Sequence, residues 1–175
     1  MRRFAILILV SVCLAGCQDK APEPDTEVPP VPETRLLFNN PVPEILRVAT
    51  AVLAGEIEYR KGNYDAAFDH LRGAVDLDQR LNYDEPWGWM EPARHALGAL
   101  LTEQKRYEEA IEVYEANLAR YPENGWALHG LAESLRGLGR SGEADAVQAR
   151  FRKAWDDSDV VIPGSCYCRT QPPSS

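Results

Sequence analysis

The stretch from Glu91 to Asn124 limits what this chain can fold into more than any other, because it comes back. Shifted by 34 residues, Leu97, Leu101, Glu109, Ala110 and Val113 fall on Leu131, Leu135, Glu143, Ala144 and Val147, and His95 falls on His129. Shifted back by 43, Gly98, Tyr107 and Ala110 fall on Gly55, Tyr64 and Ala67. Each copy holds two amphipathic runs with a break between them, at Lys105–Arg106 in the middle one. A period in this range means stacked supersecondary units, none of which buries its apolar face alone. No alternating β-rich run of any length interrupts the pattern, so the fold class is all-α.

Within the unit, Leu97-Gly98, Leu101, Tyr107, Ala110, Tyr114 and Pro122 carry a pattern that resembles the tetratricopeptide repeat. The resemblance implies a helical-hairpin solenoid of about three units, near 48–81, 91–124 and 125–158, in a domain spanning 43–158. The first helix is expected from Pro43 or Glu44 to about Arg60, since proline suits the first turn. Gly62-Asn63 ends it, and Tyr64, Ala67, Leu71, Ala74, Val75 and Leu77 space out a second helix. Small residues such as Gly55, Ala67 and Ala74 let paired helices approach closely. Asn117 departs from the family, where a small apolar residue is usual. The third unit is weaker, because Ser141-Gly142 replaces the aromatic and acidic pair that opens its second helix. That helix, from Glu143 to about Asp157, carries Arg150, Arg152 and Lys153 near its C-terminus, which suits the helix dipole and a terminal unit.

The chain begins differently. Arg2 and Arg3 precede a short apolar run, Phe4 to Leu14, and Leu14-Ala15-Gly16-Cys17 resembles the lipobox of bacterial lipoproteins. The resemblance implies a signal peptide over 1–16, lipid attachment at Cys17, and a place in the cell envelope. By resemblance to enterobacterial lipoprotein sorting, Gln18 after the cysteine, in place of Asp, implies the periplasmic face of the outer membrane. The alternative is an ordinary secretory signal with a nearby cysteine. Residues 17–42 follow as a proline-rich linker; Gln18 to Pro43 holds seven of the thirteen prolines. Such a spacer extends about 3.1 Å per residue. Removing Arg2 and Arg3 leaves 17 basic against 27 acidic side chains. That balance argues against nucleic acid and against adhesion to anionic lipid heads, and mildly favours basic partners.

The 43-residue spacing places an insertion at about 82–90. Pro86 and Gly88 prevent a continuous helix there, while Tyr83, Trp87 and Trp89 supply aromatic area. The loop either packs back on a neighbouring helix or presents Trp87 and Trp89 to a partner. Its Glu-Pro-Trp-x-Trp core and Asn124-Gly125-Trp126 resemble the last repeats of longer bacterial tetratricopeptide proteins, over about the last hundred residues.

In that family the first helix of each pair lines a concave groove. The register gives its columns as Ala49, Pro92, Trp126; Val52, His95, His129; Glu56, Ala99, Glu133; and Tyr59, Thr102, Arg136. The candidate peptide-binding residues are therefore Glu56, Tyr59, His95, Trp126, His129, Glu133 and Arg136. The basic clamp that some family members use for C-terminal carboxylates is missing. A short protein segment is the natural ligand. On adjacent repeats His95 and His129 would charge together as pH falls toward 6, unless they simply bond across neighbouring helices. Trp126 is either the groove's anchor or a core residue packed near Pro122.

The tail, 159–175, holds Cys166-Tyr167-Cys168. The two thiols are candidates for a disulfide with each other, for a bond to a partner, or for a soft metal that would need further ligands. No nucleophile, base and orienting acid stand at a known catalytic spacing, and no phosphate loop appears. The expectation is a non-enzymatic, lipid-anchored adaptor for an envelope protein or peptide, with no cofactor, no nucleic acid and no small-molecule substrate. The alternative is a metal- or redox-responsive envelope protein acting through the Cys-x-Cys tail.

Overall fold

A computed structural model describes residues 30–169. The signal peptide, Cys17 and the linker as far as residue 29 lie outside the described residues, as does the end of the tail. Six helices follow in pairs: α1 (Val42–Arg60) and α2 (Tyr64–Asp78), α3 (Ala93–Glu103) and α4 (Tyr107–Arg120), α5 (Gly125–Gly137) and α6 (Ser141–Ala154). Each packs on the next, and α3 also touches α1 and α5, so the three first helices form one continuous face. This is an all-α helical-hairpin solenoid.

The turn inside each hairpin is built the same way. Gly62, Lys105 and Gly139 stand in one register and take positive φ of 82°, 59° and 74°. The next residue in each case, Asn63, Arg106 or Arg140, donates its N–H to the carbonyl five back, at Glu58, Leu101 or Leu135. That is the left-handed helix stop that satisfies otherwise orphaned carbonyls. Between helices the small column Ala67, Ala110 and Ala144 is fully buried. A Cβ on Gly55 would come within 2.6 Å of Leu71, so that crossing tolerates no side chain.

Starts vary with context. Pro43 sits in the first turn of α1, Asn124 caps α5 by accepting from the Ala127 N–H at 3.0 Å, and Asp78, from the end of α2, accepts from the Ala93 N–H at 3.1 Å to start α3.

The end of the linker segment is itself structured. Residues Leu36–Leu37 and Asn40–Pro41 pair as two short antiparallel strands, β1 and β2. Buried Asn40 clamps the insertion: its amide donates to Asn82 O and Asp84 Oδ2 at 3.1 and 2.9 Å, and its Oδ1 accepts from Asn82 N at 2.7 Å. Proline composition reads backbone stiffness, but an asparagine with three hydrogen bonds to Asn82 and Asp84 overrides it locally. Among the described residues no helix is long and apolar enough to cross a membrane.

Candidate functional site

The face made by α1, α3 and α5 is covered by the chain's own tail. After α6 the backbone turns at Trp155, whose indole N–H donates to Val160 O at 2.7 Å, and residues 160–169 run back across this face. Ile162, Ser165 and Cys166 are buried there. Tyr167 meets Trp126 of α5 edge-on, with ring centroids 5.4 Å apart. Arg60 at the end of α1 donates to the Cys168 carbonyl. Cys166 Sγ lies 3.7 Å from Glu91 Oε1. Cys166 and Cys168 are joined as a disulfide.

Arg169 ends the described tail between two carboxylates. Its Nη1 donates to Glu133 Oε1 and Oε2 at 2.9 and 2.7 Å, and its Nε lies 3.5 Å from Glu103 Oε2. The Nε and that Glu103 oxygen are buried without a formed hydrogen bond. Burial opposes the Arg169 charge, but the Glu133 hydrogen bonds and the charges of Glu133 and Glu103 outweigh it and raise its pKa. Tyr59 fixes Glu103: its hydroxyl donates to Glu103 Oε1 at 3.0 Å and accepts from Gln104 Nε2 at 2.8 Å. Burial pushes the Tyr59 phenol up to about 12, with Gln104 opposing and Glu103 adding.

Tyr114 supplies the deepest contact. It belongs to α4, a second helix, yet its hydroxyl shares a hydrogen bond with Ser165 on the tail. It gets there by passing between Gly98 and Gly130, where a Cβ would stand 2.7 and 2.2 Å from the ring. Beside it Thr102 and Ser134 join α3 to α5 through their hydroxyls at 2.9 Å.

Of the residues expected in the groove, Tyr59, Trp126 and Glu133 gather around the tail. Glu56 lies next to it. With Val52, Trp89, Met90, Glu91, Ala93 and Ala96 it lines a half-open pocket of about 380 Å³. Burial raises the pKa of both carboxyls there; Arg60 opposes this at Glu56, and the Glu56 charge adds to it at Glu91. Trp126 is half-buried and, besides Tyr167, packs edge-on with Trp155 at 5.9 Å.

The remaining candidates are placed elsewhere. Arg136 is exposed and bonds Gln148 of α6 at 3.0 Å, away from the tail. His95 is buried near the Asn117 and Asn124 amides, and burial drives its pKa down to about 4 despite them. Its Nε2 and both Asn117 amide atoms form no hydrogen bond. His129 packs edge-on against Phe151 at 5.5 Å, and burial lowers its pKa against the pull of Glu133. Desolvation thus disfavours the charged form of both rings, which counts against the joint switch near pH 6. In the insertion, Trp87 packs on Tyr121 at 4.9 Å and lines a second pocket of about 490 Å³ with Tyr83 and Asp84. Trp89 turns to the groove side, so the loop serves two faces.

Arg60, Glu91, Glu103, Tyr114 and Arg169 were not anticipated. Arg60 and Glu103 form the next column after Tyr59, Thr102 and Arg136, one residue further along each helix. Among the described residues no group of three or more His, Cys, Asp or Glu side chains is arranged to hold a metal ion. The arrangement holds the irregular, disulfide-closed tail by charge and hydrogen bonds.

No curated protein and no solved structure matches the chain. Two family models do, each described as a tetratricopeptide repeat, over residues 46–123 and 101–157. Together these spans cover more than half of the 175 residues. With three helical hairpins across those spans, the chain belongs to the tetratricopeptide repeat family.

Proposed function

We propose that the protein is a non-enzymatic adaptor, anchored by lipid at Cys17 in the cell envelope, that holds a protein or peptide partner in its concave groove. One observation carries the binding part of this reading. The groove takes a peptide segment, residues 160–169, with contacts from all three first helices at Arg60, Glu103, Trp126 and Glu133. A surface able to hold its own tail this way has the shape and bonding groups to hold another chain. The anchor rests on the sequence Leu14-Ala15-Gly16-Cys17, and the periplasmic face of the outer membrane on Gln18 after it.

A photocrosslinking residue in place of Val52, in the open part of the groove, tests the binding reading in intact cells. A specific crosslinked protein, lost when Glu56 is also replaced by lysine, supports it; no adduct beyond background overturns it. Cys17→Ser tests the anchor, since stable attachment requires the acyl chains. The variant should leave the membrane fraction or remain unprocessed. Unchanged detergent-dependent fractionation refutes the lipid.

The Cys166–Cys168 disulfide favours a second reading, in which the tail responds to redox conditions and the repeats are its mount. Thiol counts with and without reductant, set beside proteolysis of the tail, separate the two. Equal tail protection in both states removes the redox reading.

A further inference from the structure

The chemistry of the groove is one-sided. Glu56 and Glu91 line its open pocket, and Glu103 and Glu133 close on the tail's guanidinium. The tail from Val160 to Ser175 carries a single charged side chain, Arg169, and that one sits between the last two carboxylates. The seat is built by the repeats rather than by the tail. Tyr59 and Gln104 hold Glu103 in place, and Glu133 projects from the middle of α5.

We propose that Glu103 and Glu133 form a guanidinium-binding subsite of the groove, that Arg169 occupies it as a stand-in, and that the partner is a basic peptide segment whose own arginine displaces Arg169. This rests on the groove reading above and specifies its ligand. The neighbouring pocket supports an external occupant. Its two carboxylates and the walls of Val52, Trp89 and Ala96 suit a second cationic side chain with an aliphatic stem. Glu91 touches both pocket and tail, so one segment reaches both stations. A planar guanidinium satisfies paired carboxylates better than an ammonium does, which makes arginine the preferred residue at the first station. The tether makes the tail a strong competitor, present at an effective concentration of about millimolar.

The test uses the full chain and a fluorescent peptide copying residues 160–169 in its disulfide form. Binding is read by anisotropy to the wild type, to Arg169→Ala, and to Arg169→Ala combined with Glu133→Gln. Circular dichroism checks each fold, and Arg169→Lys replaces Arg169→Ala if the latter does not fold. The peptide should bind the variant with the emptied seat about tenfold or more tighter than the wild type, because the intramolecular competitor is weakened. Replacing the peptide's arginine by alanine, or adding Glu133→Gln, should remove that gain. Equal binding to wild type and Arg169→Ala, no binding to either, or indifference to the peptide's arginine overturns the proposal. A partner crosslinked at position 52 together with any of those results leaves the groove reading standing and removes only the guanidinium subsite. Loss of both signals removes both.

Discussion

Replacing Gly130 by alanine puts a methyl carbon 2.2 Å from Tyr114 Cζ and 2.4 Å from its hydroxyl oxygen. Neither side has room to give. Tyr114 is fully buried, and Gly98 bounds the other side of its ring, where a Cβ would stand at 2.7 Å. Overpacking of this kind costs about 1–3 kcal/mol, and the clash with a ring held on both faces belongs at the upper end. Against it stands the helix-propensity gain of alanine over glycine, about 1 kcal/mol. The net expectation is a loss of about 1–2 kcal/mol. Gly73 is the control, since it is exposed on α2 with nothing within 4 Å of a built Cβ. There the same substitution keeps the propensity gain alone. For a domain of this size each kcal/mol shifts the melting temperature by about 3–5 °C. Thermal melts followed by far-ultraviolet circular dichroism should therefore move in opposite directions, down for Gly130→Ala and up for Gly73→Ala. Tyr114→Leu in the Gly130→Ala background should recover part of the loss, because neighbouring sites couple. A Gly130→Ala melt at or above wild type would show that Tyr114 does not pass between α3 and α5.

Lys105→Gly should raise the melting temperature, since the side chain sits at φ 59° where its two counterparts are glycines; relief of about 1 kcal/mol is expected, and a lower melt refutes the left-handed turn. His95 gives a pH dependence. Its folded pKa of about 4 lies below the ordinary 6.5, so between these values the unfolded chain binds the extra proton. Stability from this group is thus complete above pH 6.5 and falls as pH drops toward 4, by on the order of 3 kcal/mol. Denaturant titrations of His95→Gln should lack that part of the slope, and an unchanged slope contradicts the burial argument. Trp126→Ala removes two aromatic contacts, each contributing about 0.5–1.5 kcal/mol. Hydrogen exchange of amides 160–169 should speed up while α1 and α2 keep their protection, and unaltered tail exchange would mean that Trp126 does not hold Tyr167.

Which parts were legible in the sequence follows from what a repeat can report. A period transfers local structure from one copy to the next. The break at Gly62-Asn63 and that at Lys105–Arg106 are one turn seen twice, and the third copy places it at Gly139. The small column Ala67, Ala110 and Ala144 was readable for the same reason. What lies outside the period has no second copy. The pairing of Asn40 with Asn82 and Asp84 joins residues more than forty apart, and neither segment's composition announces the other. The register also errs where burial is not periodic. The middle hairpin is covered on both sides, and nine of the eleven residues of α3 are buried. His95 therefore disappears into packing although its column faces the groove. At α1, which has a neighbouring hairpin on one side only, the same column leaves Val52 beside the open pocket.

The tail shows a different limit. Two cysteines one residue apart invite a reading by sulfur chemistry alone, and the disulfide agrees with one branch of it. Yet the groups that seat the tail flank the cysteines: Ser165 against Tyr114, and Arg169 against Glu103 and Glu133. The charge pattern held that information. A segment with one cation follows a domain rich in acids, and the groove columns already contained Glu133. Extending those columns by one residue adds Arg60 and Glu103, which supply a donor for a backbone carbonyl and an acceptor for a guanidinium. Such a face binds peptide backbone and arginine in one stroke. The tail has both, and its tether brings them to the face without a diffusional search. A partner must therefore match this chemistry and also outcompete a tethered ligand, which makes occupancy of the groove depend on the tail as much as on the repeats.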